Sequence, residues 1–255
     1  MLGFFFRHYD PLVQRYVIYD DGSRDGSPEL LRAHPKVELR PMPEPTDPDS
    51  YVVSGLALLE QCWKESQGAA DWVIVTDIDE HLHHSNLKDY LAACQSQGVT
   101  IVPALGYQML SERFPEEDRL LSATLTMGAP DPRYCKLNIF SPNAISAVNF
   151  IVGRHSAAPQ GIVVAPARDE LLLLHYKYLG FGRTRRRYKQ YRTRRRKKDL
   201  SNAWGVQYSW SRRQLLKDWN ECAARLVDIS MPDARPWETY PAPVWWSGYP
   251  RAAQA

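Results

Sequence analysis

The chain has 255 residues, 44% of them hydrophobic and 24% charged, and its 32 Lys and Arg against 29 Asp and Glu give a formal net charge of +3. These proportions exclude a disordered or collagen-like chain, and four widely spaced cysteines exclude a disulfide scaffold and a ribbon-type zinc site. No apolar run reaches the ~20 residues that span a bilayer, so we expect a cytoplasmic protein with one sizeable core.

The first half of the chain alternates strand-like and helix-like patterns. In chain order they are a strand at 16–19, a helix that opens at Ser27, a strand at 37–40, a helix at 51–67, a strand at 72–75, a helix at 86–97 and a strand at 99–102. This alternation is typical of an α/β domain with a mostly parallel sheet flanked by helices.

The second half combines short strands with helices. The strand-like runs, separated by Pro and Gly, lie at 136–140, 147–152, 162–164 and 171–174. Ser211 and Gln214 then form a capping-box pattern that predicts an amphipathic helix. We expect a main domain over 1–180, with a basic helical segment, this helix and a Pro- and Trp-rich tail over 181–255 packed on it.

One segment is strongly basic. Residues 183–198 contain 11 Lys or Arg in 16 positions and no acid, so the remaining chain has 21 basic against 29 acidic residues. Such a segment suits a polyanion, namely an acidic glycan, anionic lipid headgroups or nucleic acid. The alternative is a solvated helix face without a partner.

Acidic pairs follow two of the predicted strands. Asp20 and Asp21 come directly after the first strand, and Asp77 and Asp79 follow the strand at 72–75. In a parallel sheet, ligands bind beyond the carboxyl ends of the strands. Carboxylates two residues apart on extended chain point to the same side and suit Mg²⁺ or Mn²⁺, which commonly hold substrate phosphates. A turn-forming role is the alternative for either pair.

Several segments together resemble a known family. They are FFFRHYDPLVQRY at 4–16, YVIYDDGSRDGS at 16–27, DWVIVTDIDEHL at 71–82, GYQML at 106–110, Gly153-Arg154-His155 and LLHYKYL at 173–179. Their order and spacing, over residues 4 to 210, resemble a bacterial subgroup of family 2-like glycosyltransferases of the GT-A superfamily. The second and third segments correspond to the DDGS-x-DGS signature and the DxD motif.

The resemblance implies a GT-A (Rossmann-like) fold, with residues 1–180 as its catalytic domain, and a metal-dependent enzyme of glycan or polysaccharide biosynthesis. A sugar would pass from a nucleotide-sugar donor to an acceptor hydroxyl. By resemblance, Asp20, Asp21 and Asp77 contact the donor nucleotide, and Asp77 and Asp79 hold Mn²⁺ or Mg²⁺.

The resemblance also implies a histidine from the second half of the chain as a further metal ligand. His155 and His175 are the candidates, and we select His155; a hydrogen-bonded core histidine is the alternative for both. An inverting transfer needs a carboxylate that deprotonates the acceptor hydroxyl. The acids after the strand at 99–102 are Glu112, Glu116, Glu117 and Asp118. We select Glu112 as the base.

The basic run separates the enzyme interpretation from its alternative. In an enzyme, Arg185, Arg186 and Arg187 would hold an anionic acceptor or attach the protein peripherally to an anionic membrane face. In the alternative, a nucleic-acid-binding or Toprim-like DxD protein, the run would contact phosphates, with Tyr188 and Tyr191 stacking on bases. That alternative leaves the DDGSRDGS turn unexplained, so we do not favour it.

The chain also departs from the family pattern. Members of the subgroup begin with a strand that ends in an Asn-Glu pair and helps form the nucleotide pocket. Here Met1 stands almost inside the helix that follows that strand. We therefore expect this chain to lack the first strand.

Overall fold

The computed structural model describes residues 1–116, 118–230, 235–241 and 243–253, so the candidate base Glu117 lies outside the described residues. The helices are α1 (Leu2–Tyr9), α2 (Ser27–Ala33), α3 (Tyr51–Cys62), α4 (Leu87–Ser96), α5 (Leu121–Thr124), α6 (Phe181–Arg194), α7 (Lys197–Ser201), α8 (Arg212–Ala223) and α9 (Pro236–Thr239). The strands are β1 (Tyr16–Asp20), β2 (Val37–Pro41), β3 (Val73–Ile74), β4 (Glu80–His83), β5 (Ile101–Ser111), β6 (Met127–Pro130), β7 (Lys136–Phe140), β8 (Ile145–Ala147), β9 (Gln160–Gly161), β10 (Leu172–Leu179) and β11 (Val227–Asp228).

The long strand β5 organises a mixed, curled sheet of seven strands. One of its edges pairs with β10 in parallel. Its other edge is shared, because β7 pairs with the first part of β5 and β6 with a later part, both antiparallel. Strands β4, β3 and β11 extend the sheet beyond β10, β7 and β6. Strands β1 and β2 form a separate parallel pair.

The molecule is therefore a mixed α/β protein, and the expectation of a mostly parallel sheet is wrong. Among the described strands, only the β1–β2 and β5–β10 pairs are parallel. Strands β6 and β7 follow β5 in the chain and lie along its edge in the opposite direction, and β4 and β10 also pair antiparallel. Antiparallel pairs therefore dominate the sheet.

Two predicted strands differ in length and position from the structure. The apolar run at 72–75, an unbroken pattern typical of a strand buried on both faces, forms a strand β3 of only two residues that pairs with β7 alone among the described strands. The run at 99–102 continues instead to Ser111, and its residues 101–109 are all buried. Continuous burial, rather than alternation, makes β5 the centre of the core.

Side-chain caps fix several helix starts. Ser50 caps α3 by accepting a hydrogen bond from the Val53 amide. The predicted capping box of Ser211 and Gln214 is confirmed at the start of α8. Such caps satisfy amide groups that have no partner within the helix.

The C-terminal region packs on the sheet. The Trp219 ring of α8 stacks on Tyr178 of β10 at 5.1 Å between ring centres. Trp246 has no exposed surface, and its indole N–H donates to Asp169 over 2.8 Å. No helix in the described part of the chain is long and apolar enough to cross a membrane.

Candidate functional site

Three acidic side chains lie between β3 and the start of β4. Asp77 and Asp79 stand in the connecting loop, and Glu80 is the first residue of β4. The exposed fraction of the side chain falls from 65% at Asp77 to 12% at Asp79 and 0% at Glu80. The loop thus carries one carboxylate open to solvent, one at the boundary and one sealed in the protein.

Glu80 is the anchor of this loop. Its carboxylate accepts hydrogen bonds from Lys136 Nζ at 2.5 Å and from an Arg154 guanidinium nitrogen at 2.6 Å. Burial alone would raise the pKa of Glu80, but the charges of Arg154 and Lys136 hold that pKa well below its usual range. An uncompensated carboxylate at this depth would be strongly destabilising, so the three residues form one structural unit.

Arg154 extends this unit to the rest of the loop. Its guanidinium donates to the Val75 carbonyl at 2.9 Å and to the Asp77 carboxylate at 3.0 Å. The residue has a left-handed φ of 57°, a conformation that side chains other than glycine rarely adopt. A single arginine therefore fixes both the end of β3 and the first aspartate of the DxD segment.

Asp79 faces the basic helix α6. Its carboxylate accepts a hydrogen bond from Arg187 at 3.0 Å, and the same guanidinium donates to the Tyr191 hydroxyl at 2.6 Å. Burial would raise the pKa of Asp79, but the neighbouring His175 and Arg187 lower it below its usual value. Asp79 is therefore ionised, and its carboxylate is paired with Arg187 of α6.

His175 is held in a defined orientation beside Asp79. Gln108 donates through its amide nitrogen to the carbonyls of Met109 and His175, at 2.8 and 3.0 Å. Its amide oxygen is therefore the acceptor for His175 Nδ1, at 2.9 Å. Nδ1 then carries the proton, and Nε2 keeps a free lone pair. Burial lowers the pKa of His175 to about 3, so the ring is neutral.

Lys177 adds a cation that no carboxylate contacts within the described residues. Its ammonium group lies 4.9 Å from the centre of the Tyr188 ring and 5.3 Å from that of Tyr208. Burial lowers the pKa of Lys177 to about 8, against the opposing effect of Asp79. With Lys136, Arg154 and Arg187, the cluster has four cations against the three carboxylates of the loop. Within this loop region the cations therefore outnumber the carboxylates by one.

The predicted metal ligands are only partly brought together. The structure places the His155 ring beside Tyr134, with 6.3 Å between ring centres. Within the described residues, no group of three or more His, Cys, Asp or Glu side chains is close enough to hold a metal ion. Asp77, Asp79 and His155 therefore do not form a preassembled ligand set.

Asp79 and His175 nevertheless have the donor chemistry that divalent cations take, a carboxylate and a neutral imidazole. The oriented, neutral imidazole of His175 offers Nε2, while Gln108 holds its other nitrogen, as the outer partners of metal-bound histidines do. Mg²⁺ and related ions are commonly held by one or two protein groups together with substrate phosphates. A cation at this point would compete with Arg187 for the Asp79 carboxylate. Binding of Mn²⁺ or Mg²⁺ stays a prediction.

The acidic loop that contains Asp20 and Asp21 lies near the C-terminal end of α6. Asp20 ends β1 and accepts the Ser23 amide at 3.1 Å, which closes the turn. Asp21 is exposed. Its carboxylate and the Arg194 guanidinium both lie close enough to the Tyr51 hydroxyl to shift the pKa of that group. Burial raises the pKa of Tyr51, and Arg194 opposes that rise. The C-terminal end of α6 thus lies close to the loop that contains Asp21, and nucleotide binding by Asp20 and Asp21 stays a prediction.

The predicted base Glu112 lies in an exposed loop. It directly follows β5, and the Gly180 amide before α6 donates to the Ser111 carbonyl at 2.8 Å. Arg183 of α6 covers the Phe114 ring of the same loop at 4.4 Å. The loop is therefore docked on the N-terminal end of α6, and the role of Glu112 stays a prediction.

The three arginines predicted to bind an anion point in two directions. Arg187 faces Asp79, whereas Arg185 and Arg186 are exposed. Tyr188 is buried, and Tyr191 is engaged by Arg187. The two tyrosines are therefore not free to stack on bases, which removes the support for the nucleic-acid alternative that came from them.

Several residues of the cluster were not singled out from the sequence. Lys136, Gln108 and Lys177 stand on β7, β5 and β10, far apart along the chain. Gln108, Arg154 and Lys177 fall inside segments that carry the family resemblance, and this was the one available signal for them. Lys136 had none, because a lysine in a short strand is indistinguishable from a surface residue until its partner Glu80 is known.

A scan against protein-family models and a search of curated proteins found no match to this chain.

Proposed function

We propose that the chain is a metal-dependent glycosyltransferase of GT-A type that transfers a sugar from a nucleotide-sugar to an acceptor hydroxyl in glycan or polysaccharide biosynthesis. The proposal rests on the motifs over residues 4 to 210 and on one observation of the site. Asp79 of the DxD segment and the oriented His175 are neighbours in a cluster that also contains the cations of Arg187 and Lys177. In this proposal a divalent cation binds Asp79 and His175, and the diphosphate that it carries lies against the cations of the cluster.

The residues have separate roles in this proposal. Asp79 and His175 would hold Mn²⁺ or Mg²⁺, which when bound stabilises the charge that develops on the departing diphosphate. Arg187 and Lys177 would stabilise the same charge, because Arg187 lies beside Asp79 and donates to the Tyr191 hydroxyl, and Lys177 lies against the rings of Tyr188 and Tyr208.

For the acceptor, we assign a role to one residue. An inverting transfer requires that a carboxylate take the proton of the attacking hydroxyl. Glu112 is our candidate, because its loop is docked on α6 and its side chain is open to an incoming acceptor. Asp21, beyond the C-terminal end of α6, would contact the nucleoside part of the donor.

A thermal-shift screen tests the proposal. Nucleoside diphosphates and nucleotide-sugars are added to the protein with Mn²⁺ or with a chelator. A ligand at 100 times its Kd stabilises the folded state by about 2.7 kcal/mol, which is a clear rise in Tm. We expect a Mn²⁺-dependent rise with one nucleoside diphosphate, lost in Asp79→Asn and kept in Asp49→Asn, which alters an exposed carboxylate outside the site. A folded wild-type protein that responds to none of these ligands would contradict the proposal.

A further inference from the structure

Helix α6 has two basic faces with different surroundings. On the inner face, Arg183 covers Phe114 and Arg187 pairs with Asp79. At about 100° per residue, the cations of the outer face share an arc of about 120° on the opposite side. These outer residues are Arg185, Arg186, Lys189 and Arg192, and all are exposed. The site therefore uses only part of the charge of this helix.

The outer cations have no counter-ion among the residues that the structure describes. Within the described residues, no hydrogen bond or ion pair engages the side chains of these four residues, whereas Lys198 of α7 does pair with Asp47. The sequence of α6 contains no acid, so like charges stand three and four residues apart along this face. Such spacing opposes helix formation. An external anion would relieve the repulsion.

The next helix, α7, carries an exposed apolar side chain beside a cation. Lys197 and Leu200 of α7 are three residues apart, so they share one face of that helix. Lys197 is exposed, and Leu200 keeps 55% of its surface open. Cations beside an accessible leucine suit a lipid surface, because headgroups take the charges and the acyl boundary takes the apolar side chain.

We propose that the outer face of α6, together with Lys197 and Leu200, docks the protein on an anionic membrane surface. Nucleic acid is the less favoured partner, because Tyr188 and Tyr191, the aromatic side chains interleaved with these cations, are turned to the inner side. A lipid surface needs no aromatic platform. The proposal does not depend on glycosyl transfer, since the inner and outer faces of α6 carry different residues.

Vesicle flotation tests the proposal directly. The full chain is mixed with vesicles of phosphatidylcholine alone or of equal parts phosphatidylcholine and phosphatidylglycerol. We expect flotation only with the anionic vesicles and its loss at high salt, because screening weakens exposed charges. Each basic side chain near such a surface contributes about fivefold to partitioning. The triple variant R185Q/R186Q/K189Q should therefore bind about 100-fold more weakly.

A matched variant separates this face from net charge. R32Q/K88Q/K217Q removes three exposed cations elsewhere and should float like the wild type. Leu200→Ser should reduce the binding that survives at intermediate salt. Equal losses in the two triple variants would overturn the assigned face. No flotation with anionic vesicles would overturn the proposal, and if a duplex RNA probe bound instead, the partner would be nucleic acid. Circular dichroism and Tm establish that each variant is folded.

Discussion

Arg187 of α6 donates a hydrogen bond to Asp79 across 3.0 Å and thereby joins the basic helix to the loop that follows β3. The two residues are 108 positions apart in the chain. Their side chains are 24% and 12% exposed, so the pair is shielded but not sealed. This contact directs the charge of α6 toward the acidic loop.

The neighbouring arginines of α6 allow a matched test of this contact. Arg187→Ala leaves Asp79 largely buried without its guanidinium and should lower the unfolding free energy by about 2 kcal/mol. Arg186→Ala removes an exposed cation and should change it by less than about 0.5 kcal/mol. Urea denaturation of both variants gives the comparison. Equal effects would mean that the Asp79 contact contributes nothing to stability.

The Glu80 unit predicts an acid-sensitive protein. Because the folded state holds the pKa of Glu80 below its ordinary value of 4.5, the stability from this carboxylate is complete above that pH. It is lost as the pH falls through the folded-state pKa. Glu80→Gln leaves Lys136 and Arg154 buried without their anion and should cost about 3–5 kcal/mol at pH 7. The gap to the wild type should narrow below pH 4.5.

Denaturation curves at a series of pH values measure this gap. The double variant Glu80→Gln with Lys136→Met removes one of the stranded cations and should recover part of the loss. A gap that stays constant from pH 7 to pH 3 would show that Glu80 is not the group whose protonation destabilises the protein.

We expect Lys177 to lower the stability of the folded protein and to strengthen the binding of nucleoside diphosphate. Its folded-state pKa is lowered from 10.5 to about 8, so the unfolded chain binds more protons between these values and wild-type stability rises with pH across this window. Lys177→Met removes this partly buried charge and should abolish that rise. At pH 7 it should be as stable as the wild type or more stable, by on the order of 1 kcal/mol.

The same variant should bind nucleoside diphosphate more weakly, because the anion loses a fixed cation. Unfolding curves from pH 7 to pH 10 and a binding titration at pH 7 measure the two effects. Lys189→Met, which alters an exposed lysine of α6, serves as the control and should change neither. A Lys177→Met protein that is less stable at pH 7 but binds normally would contradict both expectations.

Local patterns predicted local structure well. The acidic loop after β3, the start of α8 at Ser211 and the helical basic segment all depend on residues that are neighbours in the chain. Pairing between distant strands was not predictable in the same way. The apolar run at 72–75 satisfies a central strand and an edge strand equally, and only its partner β7 decides the matter.

The site shows the same limit. Asp199, outside the cluster, is an example of a contact between residues far apart in the chain. Its carboxylate accepts hydrogen bonds from the Ser50 hydroxyl at 2.5 Å and the Tyr51 amide at 3.0 Å, which ties α7 to the start of α3. Nothing near Asp199 in the sequence indicates that contact. Likewise, the choice between His155 and His175 depends on which ring Gln108 orients. Spacing along the chain carries no information about that contact.

Mn²⁺ binding in the presence of a nucleoside diphosphate can decide which histidine is the metal ligand. Electron paramagnetic resonance measures the Mn²⁺ that stays free. His175→Ala should lose Mn²⁺ binding, because His175 is the neutral imidazole that interacts with Asp79 and its Nδ1 is held by Gln108. Gln108→Leu releases the ring and should weaken binding about 10- to 100-fold. Gln108→Glu keeps an acceptor for Nδ1 and should recover much of the affinity. His155→Ala should bind Mn²⁺ like the wild type, and the reverse pattern, with loss in His155→Ala alone, would restore the ligand predicted from the sequence.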